Sequence, residues 1–183
     1  MARVPGRRPV AFSIMAETPE PPPTLADSRA LLLGYLDHNA TAVLRKLDGL
    51  SDRDARRSVV PSGWTPLGMV KHLACTERFW VRYLFTGEDV DFTWPGTADR
   101  EGFGAPAESA ADLTAFFRAE RENCARLAAV TPLEGRAART VRRGGAEEHP
   151  TFAWILFHLV QNFARHAGHM DVGRELIDGV TGR

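Results

Sequence analysis

The sequence predicts an all-α fold, a four-helix up-down bundle. Three observations predict it. Apolar residues recur at alternating three- and four-residue steps in four separate stretches. Each stretch is bounded by residues that cap or stop helices. Alternating strand patterns are scarce. At 183 residues the chain has the length of one domain with a sizeable core.

The N-terminal stretch carries Pro5, Pro9, Pro19 and the run Pro21-Pro22-Pro23, which cannot continue a helix. Residues 1–23 therefore read as a disordered extension and residues 24–183 as the bundle domain, with Met1 or Met15 as the translation start. The first helix runs from about Leu25 to Leu47, with Leu33, Leu36, Ala40, Val43 and Leu47 on one side and Asp48-Gly49 closing it. The polar stretch from Ser51 to Arg57 allows a short further turn. Thr65 is an N-cap and Pro66 suits the first helical position, so a second helix follows, with Met69, Val70, Leu73, Trp80, Val81 and Leu84 before Gly87. Pro95, Gly96, Gly102, Gly104 and Pro106 make residues 88–108 a long loop.

The third helix spans Ser109 to Val130, with Ser109 and Asp112 in a capping arrangement and Leu113, Phe116, Phe117, Cys124 and Leu127 on one side. Thr131-Pro132 stops it. Residues 133–150, with Arg136, Arg139, Arg142, Arg143 and Gly144-Gly145, read as a small hairpin or a basic loop. The fourth helix extends from Thr151 to Asp178 and is capped by Gly179.

Formal net charge is zero, so the chain lacks the basic excess of a nucleic-acid or anionic-membrane surface. No apolar run is long enough to span a bilayer, and no secretory signal is evident. Cys75 and Cys124 form neither a CxxC pair nor a zinc-finger spacing. A cytoplasmic protein with reduced thiols and a small-molecule partner is expected.

The fourth helix holds the informative pattern. Its stripe Ile155, Leu159, Asn162, His166, His169, Gly173, Leu176 turns from apolar to polar in mid-helix. Buried polar groups need partners, so this cluster asks for an explanation. On the second helix His72 can turn inward and approach His166. Metal sites in bundles are assembled this way, but hydrogen-bonded core histidines use the same spacing, and both readings stand. His38, His149 and His158 are weaker candidates. Cys75 lies one turn after His72. Cys124 reads as a small buried filler, and Trp80, Phe116, Phe117 and Trp154 as core.

Two segments carry a resemblance. Gly63-Trp64-Thr65-Pro66-Leu67-Gly68-Met69-Val70-Lys71-His72-Leu73-Ala74, continuing to Glu77-Arg78-Phe79-Trp80, resembles the second helix of the DinB-like (DinB/YfiT-like) superfamily. The segment from His158 to Gly182, with Ala164-Arg165-His166-Ala167-Gly168-His169-Met170-Asp171 and Arg174-Glu175-Leu176-Ile177-Asp178-Gly179, resembles its fourth helix. The similarity is to the actinobacterial branch related to mycothiol-dependent maleylpyruvate isomerase, over about residues 25–182. It implies a divalent metal, zinc or nickel, held by His72, residue 162 and His166, with mycothiol as cosubstrate and pairing as a homodimer. The branch usually has Glu at the middle position and an acidic residue before it, whereas this chain has Asn162 and Gln161. His169 is one turn away as a substitute third ligand. The branch's isomerase carries a further C-terminal domain, whereas the residues here stop at Arg183.

Three functions follow as expectations. One is a thiol (mycothiol)-dependent S-transferase or isomerase using the metal. Another is a metal-independent bundle enzyme of specialised metabolism with His166 and His169 as acid and base. The last is a non-catalytic small-molecule-binding or stress protein.

Overall fold

The computed structural model describes residues 19–91 and 107–181. Residues 1–18 of the predicted extension, both candidate start methionines and residues 92–106 of the predicted long loop lie outside the described residues.

The elements are α1 (Ser28–Arg45), the short α2 (Asp52–Ala55), α3 (Pro66–Glu77), a π-helical segment that continues it (Arg78–Thr86), α4 (Ala110–Val130), a hairpin of β1 (Val141–Arg143) and β2 (Ala146–Glu148), and α5 (Phe152–Asp178). Each α-helix starts on a side-chain cap. Asp27, Ser51, Thr65, Ser109 and Thr151 accept the amides of Ala30, Asp54, Gly68, Asp112 and Trp154, each contributing about 1 kcal/mol. Gly179 ends α5 at a φ of 79°, where other residues are strained.

The Arg-rich stretch resolves as the hairpin, turning at Gly144-Gly145. Its base closes the π segment. The amides of Ala138 and Arg139 donate to the carbonyls of Phe85 and Leu84 at 2.9 and 3.0 Å, which would otherwise be orphaned at the helix end. Arg139 lies 4.0 Å over the Tyr83 ring and donates to the Gly87 carbonyl, so it holds structure rather than awaiting an anion.

Helix α1 packs on α5 and α4, and α3 packs on α4 and α5. The contacts fix the directions. Lys46 and Asp171 pair, as do Lys71 and Glu108 and then Arg78 and Glu120, so α1 parallels α5 and α3 parallels α4. Arg121 reaches Asp37 while Ala128 lies by Arg29, so α1 and α4 are antiparallel. The bundle thus runs up, down, down, up, with the first two long helices on a diagonal. Its centre is apolar: Leu36, Val43, Leu73, Phe117, Phe152, Ile155, Leu159 and Phe163 are shielded from solvent. Among the described residues no helix is long and apolar enough to cross a membrane.

The α5 stripe departs from expectation at its far end. Ile155, Leu159, His166 and Gly173 are buried, but His169 is exposed and Leu176 is 57 % exposed. Steps of four and three average 3.5 residues against 3.6 per turn, so such a row slips by about 20° per heptad. Three heptads carry Leu176 out to solvent.

Candidate active site

Helices α3 and α5 face each other in opposite directions across one groove. On α5, Trp154, His158, Asn162 and His166 step by four, and each step turns about 40° around the axis. The row starts on the half-exposed flank and ends at a buried imidazole. On the facing side His72, Thr76 and Trp80 also step by four. The His72 and His166 rings meet edge to face with centroids 4.9 Å apart. Trp80 meets His158 at 4.6 Å and Trp154 at 5.4 Å, and Trp154 stacks on His158 at 5.1 Å.

His72 and His166 are only 8 % and 9 % exposed, and this desolvation governs their charge. Burial, reinforced by the charge of His166, pushes His72 down to about 3. Burial, then the charges of His169 and Arg165, pushes His166 down to about 4. Both rings are therefore neutral at neutral pH. His72 Nε2 lies 3.5 Å from Thr76 Oγ1. His166 Nδ1 lies 3.3 Å from His169 Nδ1, one ring donating and the other accepting. His169 reaches solvent beside the Trp64 ring. Asn162 is half-buried, and its Oδ1 accepts no hydrogen bond from the described residues.

The structure thus brings together His72 and His166, with His169 against His166 and Asn162 one turn away on α5. His38 sits on α1, and His149 on the hairpin side, where its Nδ1 donates to the Ala137 carbonyl. Cys75 is buried, and burial raises its thiol pKa, so it is a packed thiol rather than a nucleophile. Among the described residues, no three His, Cys, Asp or Glu side chains gather as a metal-holding group.

Sequence reasoning missed two features. Trp80, Trp154 and His158 are a half-buried aromatic cluster, not closed core; their four-residue spacing with Asn162 and His166 was the available signal. Two cavities open around Trp154 rather than at the histidines. One, of about 570 Å³, lies between the hairpin and the start of α5. The other, of about 390 Å³, lies over Phe157, His158 and Gln161. The second missed feature is a buried charge network. Glu77, fully buried, pairs with Arg121, which also holds Asp37, while Glu120 binds Arg78 at 2.8 Å and Arg82 at 3.1 Å.

Residues 31–179 match the model of the mycothiol S-transferase family. The chain belongs to that family. The match covers both helices of the histidine groove and agrees with the resemblance to the DinB-like, mycothiol-related branch. Comparison with curated proteins finds no match.

Proposed function

We propose that this chain joins the sulfur of a low-molecular-weight thiol, mycothiol, to an electrophilic small molecule, with the thiol seated in the His72–His166 groove. The observation that carries the reading is the pair of buried, neutral imidazoles meeting across α3 and α5 inside the region matched to the family.

A resident metal fits this groove poorly. The donors in reach are two neutral imidazoles and the carboxamide of Asn162, which bring no negative charge to a divalent ion. Zinc and nickel sites draw on His, Cys and carboxylate ligands. The chemistry then falls to the side chains themselves.

With His166 Nδ1–H donating to His169, its Nε2 is the acceptor for the thiol proton. The thiolate attacks the electrophilic carbon and a C–S bond forms. The displaced group leaves with its electron pair, or, in an addition, the imidazolium returns the proton to the adjacent carbon. A free thiol near 8.5 and an imidazole near 4 differ by about 4.5 units, roughly 6 kcal/mol. A thiolate about 4 Å from the new imidazolium recovers about 4 kcal/mol at an effective dielectric of 20. The bound thiolate thus supplies the negative charge the groove lacks, and transfer waits on thiol binding. Asn162 Oδ1 stands as an acceptor for an amide or hydroxyl of the ligand. Addition and elimination of the same thiol on an unsaturated acid would make the groove an isomerase.

The test pairs elemental analysis with thiol consumption, using untagged protein, mycothiol and a chloronitrobenzene electrophile. Chelator-treated wild type should consume thiol, and Asn162→Glu should take up about one zinc ion per chain by restoring a carboxylate. Activity lost to chelator and restored by zinc would return the metal to the mechanism. Absence of thiol consumption, with ligand binding unchanged in His166→Ala, would leave a binding protein.

A further inference from the structure

We propose that the shelf around Trp154 binds a neutral, polyhydroxylated ring system, the sugar and cyclitol part of the thiol cosubstrate. This rests on the thiol-transfer reading and extends it to the non-reacting end of the ligand.

The shelf's position argues for it. Trp154 walls both cavities, and its indole stacks on His158, which fixes the ring plane. Sugar rings present flat C–H faces that pack on such aromatic surfaces, with their hydroxyls left to polar groups at the rim. The rim of the larger cavity provides Arg136, Glu148 and His149. Arg136 Nη1 donates to the His149 carbonyl at 3.1 Å, and His149 Nδ1 donates to the Ala137 carbonyl at 2.7 Å. That second bond leaves His149 Nε2 as an acceptor in the neutral ring. Donors and acceptors of both signs alternate there without a net excess of charge, which suits hydroxyls better than a phosphate or an ammonium. Gln161 adds an amide with both capacities on the other side.

The distance to the histidines argues for it too. His158 and Trp154 precede His166 by eight and twelve residues, a rise of roughly 12 and 18 Å along α5. Mycothiol carries its thiol on a cysteine joined by an amide to a glucosamine–inositol pair. With sulfur at His166, the rings extend toward Trp80, His158 and the shelf, and the intervening amide passes the buried Asn162 Oδ1.

The experiment uses the full chain and three probes: mycothiol, N-acetylcysteine, which has the thiol without the rings, and glucosaminyl-inositol, which has the rings without the thiol. Binding is followed by calorimetry and turnover by thiol consumption, in wild type, Trp154→Ala, and the rim variant Arg136→Ala with Glu148→Gln. The rim residues are exposed, so that variant guards against misfolding. Expected are a rise in KM for mycothiol of about 10-fold in Trp154→Ala with KM for N-acetylcysteine unchanged, and loss of glucosaminyl-inositol binding in both variants. Equal effects on mycothiol and N-acetylcysteine, or ring binding untouched by both variants, overturn the shelf while thiol transfer stands. Ring binding that depends on Trp154 in a protein that consumes no thiol upholds the shelf and refutes the transfer reading. Variants that weaken only the electrophile assign the shelf to that substrate and overturn the proposal.

Discussion

Two polar clusters lie inside this bundle, and they are built on opposite principles. Between α1, α3 and α4, Glu77, Arg121 and Asp37 form a chain of opposite charges, and Glu120 holds Arg78 and Arg82. Burial raises the Glu77 pKa and Arg121 opposes it, so the cluster contains its own compensation. Between α3 and α5, His72 and His166 depress each other or are depressed by neighbouring cations, and no carboxylate counters them. The first cluster is closed; the second lacks a charge that a ligand can bring. A balanced buried network reads as architecture, an unbalanced one beside a cleft as a site.

The sharpest way to break that contrast is to remove one member from each side. His166→Ala should lower thiol consumption by roughly 10²- to 10⁴-fold with an intact thermal transition. His169→Ala, acting through His166, should lower it less and shift the pH profile. Arg121→Ala should do the reverse, destabilising the fold by about 3–5 kcal/mol in denaturant titration, because Glu77 is left buried with its charge uncovered. Equal effects of both variants on stability and turnover would erase the distinction.

The pH dependence of stability tests the histidine side alone. Both imidazoles have folded-state pKa values below the unfolded value near 6.5, at about 3 and 4. Between those limits the unfolded chain binds more protons. Stability should be full above pH 6.5 and fall as the solution is acidified toward pH 4, by a few kcal/mol in all. Replacing both rings, as in His72→Asn with His166→Asn, should flatten that part of the curve; an unchanged slope would place the titration elsewhere.

The smallest expected effect concerns the wall of the groove. A Cβ on Gly173 would sit 2.4 Å from Trp64 Cη2, and Trp64 borders His169. Gly173→Ala should cost about 1–3 kcal/mol through overpacking. It should also raise KM if the displaced indole disturbs His169.

Much of the fold was legible because its boundaries are local. Thr65-Pro66, Ser109, Thr131-Pro132 and Gly179 each act within one turn, and each helix ends where they put it. The up, down, down, up order is set by contacts far apart in sequence, and no local signal encodes it. Glu77, Glu120 and Arg121 look like ordinary surface residues in isolation, and only their pairing across elements permits burial. His72 and His166 were legible through spacing and resemblance. The aromatic row beyond them was read as core because apolar composition alone does not distinguish a packed ring from one lining a cleft.

The π-helical segment has an evolutionary consequence. His72 lies in the α-helical part of its helix and Trp80 in the π part, bonded to residues five rather than four along. Deleting one residue near Arg78 would leave His72 in place while turning everything beyond by about 100°. Trp80 would swing off His158, and the hairpin would lose its hold on Leu84 and Phe85. The two ends of the groove are thus phased independently, so a single insertion or deletion can exchange what lies over the shelf while preserving the histidine pair. Relatives that differ in length at this junction are where a change of thiol or acceptor should be sought.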